Sequence, residues 1–182
     1  MGNYTFNVPA GTTIARELLI AYLNTGESGT PSWSPLGKRV TDSSAEFDWG
    51  EESSQDILGH TYTTMKKPTI TQSFDPWELE GGDAAQGMIY DLAIVRQDAQ
   101  ALANMDMLIA HFYTTASGES AGSFAERYES CSVRPTSLGG EGGGNVGMPV
   151  EVTYGGTRTT GSVAKSSGGG VTFTPDSAAV TV

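Results

Sequence analysis

VTDSSAEFDWGEESSQDILGHTYTTMKKPTITQ, residues Val40 to Gln72, is the stretch around which the rest of the chain is read. Ser43 to Trp49 reads as a strand, Gly50 to Thr64 as a polar, turn-rich segment, and Lys66 to Gln72 as a second strand. Between Asp42 and Asp56 stand six acidic side chains and no basic one: Asp42, Glu46, Asp48, Glu51, Glu52 and Asp56. Like charges repel, so such crowding costs stability unless a partner or an aqueous channel makes use of it. With Trp49 and Ile57-Leu58 embedded in it, this long hairpin reads as a docking arm rather than as a catalytic device.

Outward from this hairpin, the composition favours strands and turns. Of 182 residues 24 are glycine, and Thr, Ser and Val are abundant while helix formers are sparse. A chain of this length is expected to form one domain, 1–182. The formal net charge of −11 argues against a nucleic-acid-wrapping role, because affinity for phosphate comes from clusters of Lys and Arg. It is compatible with a surface past which DNA slides without sticking. A single cysteine, Cys131, leaves no internal disulfide framework and no all-cysteine metal site, and its alternating neighbours give it a half-buried strand position. No secretory leader is visible at the start, and the apolar run Leu18 to Leu23 is far short of the ~20 residues of a membrane span. Gly2 is followed by Phe6 where a myristoylation pattern wants Ser or Thr. The chain is therefore read as soluble and made in a cytoplasm.

In chain order, residues 1–16 look like an N-terminal arm, loosely alternating through Tyr4, Phe6 and Val8 until Pro9 and Gly11. Glu17 to Leu23 is a strand buried on both sides, followed by an irregular stretch in which Trp33 sits between prolines and caps one end of a core. Asp75-Pro76 marks a turn. Asp83 then caps the one convincing helix, 83–97, whose Ala85, Met88, Ile89, Leu92 and Val95 recur on one face, with Gln86, Tyr90, Asp91 and Arg96 toward the other sides. Gly87 inside it costs roughly 1 kcal/mol relative to Ala, which suggests close packing there. Further strands follow at Met105 to Tyr113 and, long or bent, at Phe124 to Leu138. Gly139 to Gly147 reads as a flexible loop. Three short strands come next, with Gly155-Gly156 and Ser166 to Gly170 as hairpin turns, and 175–182 is a C-terminal tail. About eight strands around one amphipathic helix call for a mainly β architecture, an antiparallel sandwich or barrel with one flanking α-helix.

Catalytic and metal chemistry find no constellation here. His60 and His111 stand apart from other ligand types, and no H-E-x-x-H or paired C-x-x-C is present. The Gly139 to Gly144 run lacks the Lys-[Ser/Thr] ending of a phosphate loop, as does Leu36-Gly37-Lys38-Arg39. The acids from Asp48 to Asp56 lack calcium-loop spacing, and there is no Ser-centred nucleophile elbow. The expectation is a non-enzyme with no cofactor and no metal.

Several segments resemble major tail tube proteins of long-tailed, non-contractile bacteriophages and related prophages. The likeness lies in Glu17 to Thr25, Trp33-Ser34-Pro35-Leu36-Gly37, Val40-Thr41-Asp42-Ser43, Gln55-Asp56-Ile57-Leu58-Gly59 and Gly155 to Gly161. It implies a β-sandwich subunit with a flanking helix, six copies closing into a ring and rings stacking into a tube. It implies as partners further copies of the chain, a tape-measure protein, tail initiator or baseplate and terminator proteins, and DNA in transit without specific binding. The place implied is the virion tail, assembled in the host cytoplasm. On matching positions the segment 50–64 would bridge adjacent rings, with Ile57, Leu58 and Trp49 as contacts, and Glu46 and Asp48 would line the channel. Two other readings stay open: a ring or inner-tube protein of a contractile tail or secretion system, and a carbohydrate- or surface-binding β-sandwich gripping its ligand with Trp33, Trp49 and Trp77.

Overall fold

The computed structural model describes residues 4–26, 29–116, 122–166 and 170–176. Its central element is β10 (Ser123–Pro135), a strand of 13 residues that belongs to two sheets. Its first half pairs on one edge with β8 (Met105–His111) and on the other with β12 (Arg158–Lys165). Its second half pairs with β11 (Val150–Tyr154). The register with β8 slips between Tyr128 and Cys131, so a bulge bends the strand where it passes from one sheet to the next.

The first sheet continues from β8 to β2 (Leu19–Asn24) and β3 (Trp33–Pro35), and from β12 to β13 (Val171–Pro175). The second continues from β11 to β7 (Thr69–Phe74) and β4 (Ala45–Asp48). All these pairings are antiparallel, giving the mainly β sandwich with a flanking helix that the composition calls for. Leu23, Met107, Ile109, Cys131, Val133, Val150, Val152 and Phe74 fill the space between the sheets. The other face of the first sheet is also apolar, with Tyr22, Leu108, Ala110, Ala125 and Val163 packed beside Trp33 and Phe173. That is why Ala21-Tyr22-Leu23 is buried on successive residues.

Gly155 and Gly156 do not turn a hairpin. The strands on either side of them follow one another along the same edge of β10, Thr153 opposite Ser132 and Arg158 opposite Tyr128. The glycines form the kink that matches the bulge of β10: a Cβ on Gly156, where φ is +71°, would lie 2.8 Å from the backbone nitrogen of Ser130. The antiparallel pair of this region is β12–β13; the segment between them, expected as a turn from Ser166 to Gly170, lies at 167–169 outside the described residues.

The helix α1 (Ala84–Tyr90) runs on as a π-helical turn, Asp91–Val95. The Asp83 carboxylate accepts from the Gln86 amide and caps its start, and Ala85, Ile89 and Leu92 enter the core. The π-turn changes the expected phase. The Arg96 amide reaches back five residues to the Asp91 carbonyl, which widens the turn and swings Val95 out to 67% exposure. Gln86 is buried rather than outward, its amide group donating to the Glu78 carbonyl and its oxygen accepting from the Glu80 amide.

Gly87 is not at a close contact, since a Cβ there would meet nothing within 4 Å. Gly87→Ala is therefore expected to stabilise the fold by up to about 1 kcal/mol, a rise in Tm of roughly 2–4 °C by calorimetry.

The two ends of the chain are tied differently. β1 (Tyr4–Phe6) pairs with β9 (Thr114–Ala116) as a separate two-stranded ribbon. The Asn7 side chain donates to the carbonyls of Phe112 and Thr114 beside it. The expected tail lies outside the described residues from 177 onward. The Gly-rich segment closes on itself between Gly139 and Gly147 and is stitched to the body by the Gly147–Glu78 bridge and the Met148–Trp77 backbone bond.

Candidate functional site

The expected polar, turn-rich segment is itself a β-hairpin. β5 (Glu52–Gln55) and β6 (Thr61–Thr64) pair antiparallel and continue the β4–β7 ladder outward, with the Lys66 amide bonded to the Trp49 carbonyl at the joint. Every residue of both strands is exposed, so the ribbon projects from the sandwich as an arm. Sequence reading missed the strands because neither face is apolar and no alternation marks them.

The tip is built around Asp56. One carboxylate oxygen accepts from the amides of Leu58 (2.8 Å) and His60 (2.9 Å). The other accepts from the Tyr62 hydroxyl (3.0 Å) and lies 3.1 Å from Nδ1 of His60. The Asp56 amide bonds the His60 carbonyl, and Gly59, at φ +85°, supplies the left-handed position that a three-residue hairpin loop needs. His60, isolated in sequence, is thus a member of this knot. The result is a fixed knuckle with Ile57 at 102% and Leu58 at 76% exposure. The backbone amide of His60, with the other bonds to this carboxylate, holds Asp56 below the usual carboxylate range against a smaller opposing effect of desolvation. Asp56→Ala is expected to leave the body folded and remove hydrogen-exchange protection from the Leu58 and His60 amides; the wild-type protection should fade as pH falls through and below the carboxylate range.

Glu46 and Asp48 point to the opposite face of β4 from Phe47 and Trp49. Their cross-strand partners are Thr71 and Thr69, and the same face carries Ser73, Thr153 and Glu151, the last paired with Arg134 at 2.7 Å. This face of the second sheet is polar, open and acidic. The sequence-named residues therefore split into two groups: Glu46 and Asp48 on one sheet face, Ile57 and Leu58 at the arm's tip. Trp49 belongs with neither. It stacks on Phe47, with ring centroids 6.4 Å apart, on the wall of a cleft at the arm's base.

That cleft also reveals a charge cluster that no local pattern indicated. Glu126 of β10 accepts from Arg158 Nε (2.6 Å) and the Tyr128 hydroxyl (2.8 Å), and it lies 3.1 Å from His111 Nε2. Burial pushes the Glu126 carboxyl upward. The hydrogen bonds from His111, Arg158 and Tyr128, with the charge of Arg158, outweigh burial and bring it down to about 2. The cluster ties β8, β10 and β12 together. Among the described residues there is no His, Cys, Asp and Glu grouping that could hold a metal ion, and no helix long and apolar enough to cross a membrane.

The fold of this chain, two sheets sharing β10 with a flanking helix, is shared with a solved structure. It is similar to a tube terminator. The match is to the sheath/tube terminator of an extracellular contractile injection system in its extended state, at a TM-score of 0.50 and 9% identity, over 84% of this chain and 99% of that one. Weaker likenesses extend to the tube-terminating cap of the anti-feeding prophage (TM-score 0.45, 13% identity, 86% of this chain and 95% of that one). Another is to a sheath–tube complex of an extracellular contractile injection system (TM-score 0.46, 10% identity, 85% and 95%). No family model matches the chain, and no curated protein matches it in sequence. The first likeness establishes a fold shared with a tail-tube component. The terminator matched at a TM-score of 0.50 is part of a contractile injection system, whereas the sequence motifs resemble the tubes of non-contractile tails.

Proposed function

We propose that this chain is a structural, non-enzymatic subunit of a phage-tail-like tube in a contractile tail or injection system. It closes into rings of identical copies, six by analogy with the tube proteins its motifs resemble, and its arm reaches the neighbouring layer. The observation that carries this reading is the arm itself. A two-stranded ribbon without a covered face is marginal in water, yet this one ends in a hydrogen-bonded knot that holds two aliphatic side chains outward. Apolar groups fixed in that manner serve a contact with another molecule.

In the same proposal, the acidic sheet face carrying Glu46 and Asp48 lines the channel, where negative charge repels phosphate and keeps a passing nucleic acid from adhering. Its partners are then its own copies, a tape-measure protein, baseplate or initiator and terminator proteins, and, in the contractile setting, a sheath. Its place is the assembled tail. The carbohydrate-binding alternative loses two of its three grip residues, since Trp33 is 8% and Trp77 0% exposed, and keeps only Trp49 at 46%.

Electron microscopy of the concentrated protein, alone and with a sheath protein of a contractile injection system, tests the reading. Rings or tubes that take up sheath are expected; bare tubes that never do so return the chain to the non-contractile class. A protein that stays monomeric and enters no particle overturns the proposal. Reversing both Glu46 and Asp48 to Lys is expected to spare assembly and slow DNA passage, and unchanged passage would remove them from the channel wall.

A further inference from the structure

The structure contains an open cleft as well as the knuckle. A cleft of about 460 Å³ opens at the arm's base, walled by the stacked rings of Phe47 and Trp49, floored by Ile70 and Tyr154, and edged by Lys67 and Arg158. We propose that this cleft receives Ile57 and Leu58 from the arm of a second copy of the chain. The inference rests on the tube reading above and names the receiving surface of its layer-to-layer contact.

Reach excludes the chain's own tip. Ile57 stands eight positions beyond Trp49, and at roughly 3.4 Å per residue the paired ribbon holds the knuckle about 27 Å from the cleft. Size fits: a cleft of this volume falls in the range of small-ligand sites and has room for two aliphatic side chains.

Charge selects the occupant further. On a chain of net −11 most surfaces repel a second copy, but the cleft's edge carries two cations. Arg158 is held by Glu126, whereas Lys67 is exposed and has no ion-pair partner among the described residues. The incoming tip brings the carboxylate of Asp56 toward that edge. Phe47 and Trp49 remain 54% and 46% exposed in the isolated chain, which leaves aromatic surface for the knuckle to cover. Tip and cleft are different surfaces, so the contact is head-to-tail. It leaves a free tip at one end and a free cleft at the other, and therefore propagates.

Three variants test the pairing by light scattering after gel filtration. Leu58→Asp removes the tip, Phe47→Asp blocks the cleft wall, and Lys67→Glu reverses the edge charge without touching the core. Each alone is expected to weaken self-association, by roughly a hundredfold for the first two, with circular dichroism unchanged. Leu58→Asp retains a cleft and Phe47→Asp retains a tip, so mixing them should restore one contact and give a heterodimer that grows no further. Wild-type assembly that persists in all three variants overturns the cleft while leaving the tube reading intact. Loss of assembly with no heterodimer on mixing also overturns the pairing. A wild-type protein that stays monomeric, or that associates only with a different protein, brings down both.

Discussion

Glu126→Ala is expected to cost the fold about 1–3 kcal/mol, the range for removing the charged partner of several hydrogen bonds, because Arg158, 37% exposed, can turn to water. The alanine strands the Tyr128 hydroxyl and frees Arg158 and His111, so the ties among β8, β10 and β12 are lost together. The same carboxylate sets an acid limit. Its folded pKa of about 2 lies below the ordinary value of 4.5, so its stabilisation is fully present above about pH 4.5 and is lost as pH falls toward 2. At ~1.4 kcal/mol per unit, the lowering amounts to roughly 3 kcal/mol, in line with the mutational range. Urea unfolding at pH 7, 5 and 3 checks both statements. Wild-type stability should drop steeply over the lowest interval, and the alanine variant should drop less. Equal acid sensitivity in the two proteins would show that Glu126 is not the group being protonated.

Removing the arm is expected to have the largest effect on assembly and one of the smallest on folding. The Lys66 amide already bonds the Trp49 carbonyl, so an Asn-Gly turn replacing residues 50–65 can close the ribbon there. The excised strands are exposed throughout and contribute nothing to the sandwich interior. The shortened protein should therefore melt within a few degrees of the parent. Its association should collapse, because covering Ile57 and Leu58 is worth about 1.5–3 kcal/mol each, or two to four orders of magnitude together. Calorimetry and light scattering read the two quantities separately. A shortened chain that fails to fold would make the arm part of the core, and one that assembles normally would remove it from the interface.

The sandwich with its helix was legible because its determinants repeat locally. Ala85, Ile89 and Leu92 recur at helical spacing behind the Asp83 cap, and Met105, Met107 and Ile109 alternate along one strand. What escaped reading has determinants that lie elsewhere in the chain. No residue of Asp91–Val95 announces a π-turn, and Val95 was assigned to the buried face on the ordinary helical period. Gly155-Gly156 has a hairpin's composition, and only the bulge of β10 beside Ser130 shows that it is a kink. β5 and β6 carry polar residues on both faces, so the pattern that reveals strands by their burial is silent there. The Glu126 cluster joins residues 15 and 32 positions apart, with no spacing rule to connect them. The tip residues Ile57 and Leu58 stood out for the opposite reason, as two aliphatic side chains in a polar run.

The shared strand β10 has a mechanical meaning. On the tube reading proposed above, a subunit is pulled and twisted between its neighbours, and two sheets joined only by side-chain packing could slide past one another like stacked plates. Here one covalent backbone passes through both, clasped along its length by β8, β12 and β11. Force entering at the arm through β4 and β7 crosses β11 to β10 and is carried lengthwise into the other sheet. Shear between the layers is then resisted by a continuous polypeptide as well as by packing, and the bend at Tyr128 to Cys131 acts as the elbow where the load changes direction.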